Sequence, residues 1–320
     1  LYVEHWLEFN LSQREWQWDL AQIQARNITA NVVELMTGKI QRLPAPTQVI
    51  LKLAASIGNQ FDLATLAVIS QQSAEPVKAA LWETLKEGLV VPLGENYKFV
   101  HDRVQQAAYS LIPEPERPAL HWQIGQLLNT HLGETLGERR FEVVDHLNQG
   151  RSLAATTEEK MQLVRLNLQA GQKAKSAAAY QAAINYLRNG LACLPGDGWD
   201  TEYTLTLTLY EVAAESAYLA GEREQMQEWA TAILKNTKNI LDQVNIYKIK
   251  IQSAIVQTQY QEAIALARQI LLLLGVSFPQ TPNSADIEAA LAKTKSLWQG
   301  QRIADLVNLP HMTDPNSQAI

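Results

Sequence analysis

The chain is poor in cysteine and has no long apolar run. Its one cysteine, Cys193, cannot form an internal disulfide or a multi-cysteine zinc site. We therefore predict a small buried residue in a reducing, cytoplasmic setting. The most apolar stretch, Ile264 to Val276, contains Arg268 and is too short to cross a bilayer. We interpret it as a buried helix and expect no membrane partner.

Positive charge is also scarce. The 320 residues include 27 Lys and Arg against 33 Asp and Glu, which gives a formal net charge of -6. A protein that neutralises many phosphates needs a basic excess, because Lys and Arg side chains supply the neutralising charge. The charge balance therefore argues against nucleic acid as the main partner.

The sequence signatures of several enzyme classes are missing. No GxxxxGK[ST] segment occurs, because Gly38-Lys39 lacks the upstream glycine, so no phosphate-binding P-loop is expected. The His-Arg-Asp and Asp-Phe-Gly motifs of protein kinases and the nucleophile elbow are absent. The six histidines show no metal-binding spacing, and we predict that His121 and His131 lie on a helix surface. We expect no catalytic residue and no metal site in this chain.

The first part of the chain is predicted to contain a hairpin and one helix. Residues 1 to about 20 have aromatic residues spaced partly in twos around the polar turn Asn10 to Arg14, which is typical of strands. A helix is predicted from Asn27 to Leu43, opened by Thr29. Pro44 ends it, because proline cannot continue a helix.

The next part has the pattern of a winged helix. From Thr47 to Ile112 the predicted order is three helices, two strands and a further helix, with Asp62 capping the second helix and Gly94 to Asn96 turning between the strands. Winged helices often bind DNA. This segment, however, has five Lys or Arg against six Asp or Glu, and the helix that would enter a groove, Glu75 to Glu87, is of mixed sign. We predict an intramolecular lid instead.

A candidate site lies within the stretch Tyr97 to Ile112. A strand leads to His101 and Asp102, and an amphipathic helix follows for which Asp102 is the predicted N-cap. The backbone N–H groups and the dipole at a helix start favour a negative charge. His101 is therefore either a structural, hydrogen-bonded imidazole or a group that meets an anion.

From Arg117 onward leucine and alanine dominate, and no strand pattern remains. Ala183, Met226 and Ala263 recur about 43 and 37 residues apart, each early in the second helix of a predicted pair. Small residues let paired helices approach closely, so we predict a tetratricopeptide-like (TPR-like) α-solenoid. Six aromatic residues could line a binding face or belong to the core: Tyr180, Tyr186, Tyr210, Tyr218, Trp229 and Tyr260.

Five sequence blocks carry a resemblance to one family. They are NVVELMTGKIQRLP, TQVILKLAASIGNQFDLATL, FVHDRVQQAAYSLIPE, LNLQAGQKAKSAAAY and LPHMTDP. In this order they resemble the segment that follows the ATPase core in the large cyanobacterial-type hybrid sensor kinases. In that family a serine/threonine kinase-like domain, a STAND-class ATPase, helical repeats, GAF domains and a histidine kinase follow one another. The chain also starts without methionine, so we expect a fragment of a longer protein.

Pattern and resemblance together predict the fold and the domains. The expected class is mainly α, with a winged-helix domain followed by a TPR-like α-solenoid. Residues 1–44 would be the end of the ATPase core with a helical linker, residues 45–115 the winged helix, and residues 116–320 the truncated helical repeats.

The resemblance also implies a role for the candidate site. In STAND ATPases a winged-helix histidine, often followed by aspartate, contacts the diphosphate of ADP and holds the closed state. By this resemblance His101 would sense the nucleotide, Asp102 would fix the helix start and Arg103 would add charge. ADP or ATP would be bound through the upstream ATPase core and not by this chain alone.

The predicted function is therefore regulation and signal sensing within a multidomain STAND-type ATPase or sensor kinase. The expected partners are the intramolecular ATPase and kinase domains, together with a protein or small-molecule effector on the helical repeats. Two alternatives remain: a stand-alone TPR-like interaction module, and a winged-helix transcriptional regulator.

Overall fold

The computed structural model describes residues 7–10, 13–18, 28–132, 137, 139–298 and 302–320, and these are mainly helical. The predicted mainly α class is therefore confirmed. The chain divides into two compact units, Leu1–Ala155 and Thr156–Ile320. The predicted boundaries after residues 44 and 115 both lie within the first unit, and the division into three domains stays a prediction.

The first unit begins with an antiparallel hairpin. Strand β1 (Leu7–Asn10) pairs with β2 (Glu15–Trp18), while the rest of the predicted segment 1–20 lies partly outside the described residues. Helix α1 (Ile28–Gln41) begins before Thr29, so the prediction that Thr29 opens this helix is wrong. Pro44 follows the end of α1 as predicted and occupies the N-cap of the next helix.

Three helices and a small sheet form the middle of the first unit. The helices are α2 (Ala45–Ile57), α3 (Leu63–Ser70) and α4 (Ala74–Lys86). The strands are β3 (Gln60–Asp62), β4 (Val90–Leu93) and β5 (Asn96–Phe99), in the antiparallel order β3-β5-β4. Asp62 caps α3 as predicted, because its carboxylate accepts a hydrogen bond from the Thr65 N–H at 2.7 Å.

Strand β3 was not predicted, because three residues are too short to show an alternating pattern. Strand β3 forms because it pairs with β5, and it also contacts α2. The core beneath it consists of side chains that are at most 1% exposed: Ile50, Leu51, Leu66, Leu81, Leu89 and Phe99.

Helices α5 (Asp102–Ser110), α6 (Arg117–Leu132) and α7 (Arg140–Gln149) complete the first unit. Helices α6 and α7 pack against each other, and Gly150 lies where α7 ends. A Cβ atom added to Gly150 would lie 2.6 Å from the Pro118 carbonyl oxygen and 2.8 Å from the Trp122 backbone nitrogen. The close approach of these two helices therefore requires glycine at this position.

The second unit is a series of helix pairs. The helices are α8 (Thr157–Ser176), α9 (Tyr180–Cys193), α10 (Gly198–Thr201), α11 (Tyr203–Ala220), α12 (Arg223–Asn236), α13 (Val244–Val256), α14 (Tyr260–Leu273), α15 (Ser284–Trp298) and α16 (Pro315–Ala319). Helix α8 packs on α9, α11 on α12 and α13 on α14. Helices α9 and α13 each pack in addition on α11, which joins the pairs into one unit.

The three recurring residues of the sequence pattern lie at equivalent places in this series. Ala183, Met226 and Ala263 are each the fourth residue of α9, α12 and α14 and are at most 5% exposed. Gly171 allows a similarly close contact, since an added Cβ would lie 2.6 Å from Cγ of Leu187. The observed spacing thus reflects the same buried position in the second helix of successive pairs.

Two predictions about apolar residues have different outcomes. Cys193 is buried as predicted. The prediction that the stretch Ile264 to Val276 is a buried helix is wrong in part: it is helical to Leu273, but Ile264 and Leu272 are 53% and 63% exposed. Within the part of the chain that the structure describes, no helix has the length and apolar character needed to span a membrane.

Candidate functional site

His101 caps the N-terminus of helix α5. Its backbone is extended, and its ring Nδ1 accepts a hydrogen bond from the Arg103 N–H at 3.1 Å. The prediction that Asp102 is the N-cap is therefore wrong, because the helix already begins at Asp102. Phe99, which is fully buried, ends strand β5 and anchors the point from which the chain leaves the sheet towards His101.

Asp102 is held by a residue that was not predicted to belong to the site. Its Oδ1 accepts a hydrogen bond from Nδ2 of Asn59 at 2.8 Å. Asn59 lies between α2 and β3, and its backbone carbonyl accepts a hydrogen bond from the Phe99 N–H at 3.0 Å. Asn59 therefore connects the start of α5 to a loop 43 residues earlier in the chain.

Arg103 directs its guanidinium along the helix, where Nη1 donates a hydrogen bond to Oε1 of Gln106 at 2.8 Å. His101 and Asp102 are exposed, and Arg103 is half-buried. The structure thus places the three predicted residues side by side at one helix start, but each side chain has a different hydrogen-bond partner.

The His101 ring at this helix start can offer a hydrogen-bond donor to an anion. Because Nδ1 of His101 accepts a hydrogen bond, we assign the proton of the neutral ring to Nε2. The N–H groups of Arg103 and Val104 already have acceptors, the second being the His101 carbonyl at 2.8 Å. An anion at this helix start would therefore meet Nε2–H of His101, and the neighbouring Asp102 carboxylate would repel it unless cations such as the Arg103 guanidinium compensated.

A second polar cluster lies inside the first unit. Tyr109 Oη lies 2.9 Å from Nε2 of His121, and Nδ1 of His121 lies 2.8 Å from Nδ1 of His146. These residues come from α5, α6 and α7. His121 is only 3% exposed and His146 only 4%, so the prediction that His121 lies on a helix surface is wrong.

Burial keeps both imidazoles of this cluster neutral near pH 7. It lowers the pKa of His146 to about 4, and the neighbouring His121 acts in the same direction. Burial also lowers the pKa of His121, with a smaller contribution from Arg117. When both rings are neutral, the Nδ1–H group of one ring can donate a hydrogen bond to the Nδ1 atom of the other. The cluster therefore links three helices through satisfied hydrogen bonds.

The sequence contained a signal for the burial of His121. His121, Ile124 and Leu128 follow the spacing of one helix face, and all three are at most 3% exposed. The position of His121 on an apolar stripe was that signal.

The six aromatic candidates of the second unit do not share one environment. Trp229 is 5% exposed and belongs to the core, whereas Tyr260 is 57% exposed. Tyr210 is half-buried and stacks on Trp199 with ring centroids 5.2 Å apart. Tyr218 lines a groove between α11 and α13. Tyr180 and Tyr186 are half-buried.

No group of His, Cys, Asp and Glu side chains with the geometry to hold a metal ion occurs among the described residues.

Comparison with known proteins shows a distant relation to signalling kinases. The chain is similar to the hybrid signal transduction histidine kinase G of Dictyostelium discoideum, with 24% identity over 371 residues. The match covers 96% of this chain and 11% of that protein, so the chain spans only a small part of its relative. No family model matches the chain, and no solved structure matches it.

Proposed function

We propose that this chain is a regulatory segment of a multidomain STAND-type ATPase or sensor kinase. In this proposal residues 45–115 form a winged helix that acts as a nucleotide-state lid, and residues 116–320 form a TPR-like scaffold for an effector or partner. The distant relation to a hybrid histidine kinase supports a signalling role. The chain would supply no catalytic residue itself, and ADP or ATP would be bound by an ATPase core upstream.

The observation that carries the lid proposal is the geometry of His101. Its Nδ1 is occupied by the Arg103 N–H, so the exposed ring offers Nε2–H as a donor at a helix start. The bond between Asn59 and Asp102 holds that start against the sheet. A diphosphate supplied by the upstream core could accept the Nε2–H hydrogen bond, and the core would supply the remaining cations.

The switch would work through a difference in affinity between two states. A ligand shifts a conformational equilibrium only by its differential affinity for the states. One charge-assisted hydrogen bond contributes roughly 1.5 to 3 kcal/mol. Loss of the contact on exchange of ADP for ATP would therefore change the ratio of closed to open lid about tenfold to a hundredfold.

The transcriptional-regulator alternative has less support. The two lysines of α4 are each paired with a glutamate one turn away, Lys78 with Glu75 at 3.0 Å and Lys86 with Glu83 at 2.9 Å. A DNA-reading helix needs cations that are available to phosphates. Trp82, 59% exposed between these pairs, is better suited to a protein contact.

The proposal is tested by calorimetry on a protein that carries this chain together with its ATPase core. His101→Ala is expected to weaken ADP binding about tenfold to a hundredfold and to leave ATP binding nearly unchanged. The control is His131→Ala, which removes an exposed imidazole near the end of α6. Equal ADP affinity in the native protein and the His101 variant would show that His101 is structural, and the lid proposal would be abandoned.

A further inference from the structure

A groove between α11 and α13 combines polar and apolar side chains. Its volume is about 360 Å³, and its lining includes Glu211, Glu215 and Tyr218 from α11 and Asn245, Lys248 and Ile249 from α13. Across the groove Asn245 Nδ2 donates a hydrogen bond to Oε1 of Glu211 at 3.1 Å. The volume lies near the lower end of the roughly 300–1,000 Å³ found for ligand pockets, so the groove suits a short segment and not a folded domain.

Glu211 is a half-buried carboxylate without a cationic partner among the described residues; its hydrogen-bond donor is the neutral Asn245 amide. Burial raises its pKa, and the carboxylates of Asp242 and Glu215 act in the same direction. The two charges that shift this pKa are therefore both negative. One turn away on the same helix Glu215 differs, because it forms an ion pair with Lys175 from α8.

Lys248 does not neutralise Glu211. It is exposed at the edge of the groove, and no ion pair joins it to Glu211. The lining of the groove is also partly apolar, with Val212 on α11 9% and Ile249 on α13 7% exposed. A matching ligand therefore needs a positive charge at the end of an aliphatic stem, which is the chemistry of lysine and arginine side chains.

We propose that this groove binds a segment of a partner protein that places a lysine or arginine side chain against Glu211. The methylene groups of that side chain lie along Ile249 and Val212, and its charged end replaces the missing cation at the carboxylate. An ion pair whose charges also form hydrogen bonds is stronger than a neutral hydrogen bond. This inference deepens the scaffold role in the proposed function and rests on it, but it requires neither nucleotide nor His101.

The inference is tested by selecting peptides from a random 12-residue phage library on the 320-residue chain. The selected sequences are expected to share one basic position next to aliphatic residues. The affinity of fluorescein-labelled synthetic copies is then measured by fluorescence anisotropy. Each peptide is compared with a neutral version in which citrulline replaces the shared arginine or norleucine replaces the shared lysine. Each neutral peptide is expected to bind about tenfold to a hundredfold more weakly.

The same binding is measured with the variant Glu211→Gln, which removes the charge but keeps a hydrogen-bond acceptor for Asn245. The control is Glu224→Gln, the same substitution at an exposed glutamate of α12. Glu211→Gln is expected to weaken binding as much as the neutral peptide does, and the two changes together should weaken it no further. Three outcomes would each overturn the inference. The selected peptides could lack a shared basic position, they could bind both glutamine variants equally, or none could reach micromolar affinity. Because the citrulline comparison uses the native chain, poor folding of Glu211→Gln would not prevent the test. If the peptide experiment fails but His101→Ala weakens ADP binding, the lid proposal stands and only the inference about the groove is abandoned.

Discussion

Acidification should destabilise the first unit through its buried histidine pair. His146 is 4% exposed and hydrogen-bonded to His121, and its pKa in the folded chain is lowered from 6.5 to about 4. Between these two pH values the unfolded chain binds a proton that the folded chain does not. Stability is therefore fully present above pH 6.5, where both states are neutral, and is lost as the pH falls towards 4.

The size of the effect follows from the difference in pKa. One pKa unit corresponds to about 1.4 kcal/mol, so the full loss due to His146 is about 3 kcal/mol. Between pH 7 and pH 5 the expected loss is about 2 kcal/mol. The lowered pKa of His121 contributes in the same direction. Such a loss is a substantial fraction of the roughly 5–15 kcal/mol that stabilises a typical protein.

The measurement is urea unfolding, followed by tryptophan fluorescence, at pH 7, 6 and 5. The comparison is between the native chain and His146→Asn, which removes the titrating ring but keeps a polar atom near the position of Nδ1. The native chain is expected to lose about 2 kcal/mol more than this variant between pH 7 and pH 5. His131→Asn makes the same substitution at an exposed histidine and is expected to follow the native chain.

The reasoning is refuted if the native chain and His146→Asn lose stability equally on acidification. An NMR titration of the histidine ring protons in the native chain provides a check that needs no variant. It should show one imidazole that remains neutral down to about pH 4. If all rings gain their protons near pH 6.5, the hydrogen-bonded neutral pair does not describe the protein in solution.

Two further predictions concern local packing and capping, and both are measured by urea unfolding. Gly150→Ala should destabilise the chain by about 1–3 kcal/mol, because its Cβ would meet the main chain of α6. Gly38→Ala, with no atom within 4 Å of the added Cβ, should instead stabilise α1 by about 0.5–1 kcal/mol, and equal effects would contradict the packing argument. Thr156→Ala removes the capping box of α8 and should cost about 1 kcal/mol. Thr231→Ala, an exposed position within α12, should cost nothing, so a loss equal to that of Thr156→Ala would show that capping is not the cause.

Features that depend on neighbours in the sequence were predicted well. The cap of α3 is one example, because Asp62 reaches an N–H group only three residues away. The turn between β4 and β5 is another, since its glycine has the positive φ that such a turn requires. Ala183, Met226 and Ala263 mark the helix pairs for a similar reason, because the contact between two adjacent helices recurs with the length of the pair.

Features that depend on distant residues were not predictable in the same way. His101 and Asp102 are both polar residues at the end of a strand, so composition could not show which of them caps α5. The difference arises from Asn59, which lies far away in the sequence and draws the Asp102 carboxylate to itself. Strand β3 likewise exists because β5 pairs with it.

The sequence by itself determined the mainly helical class, the two hairpins and the repeated buried positions of the helix pairs, because these follow from local backbone preferences and from periodic apolar positions. Only the tertiary structure decided which polar groups meet. It buried His121 against His146, 25 residues further along, and placed the half-buried carboxylate of Glu211 opposite Asn245, 34 residues away. The physical reason is that burial and electrostatic environment are set by neighbours in space, and no local pattern specifies those neighbours.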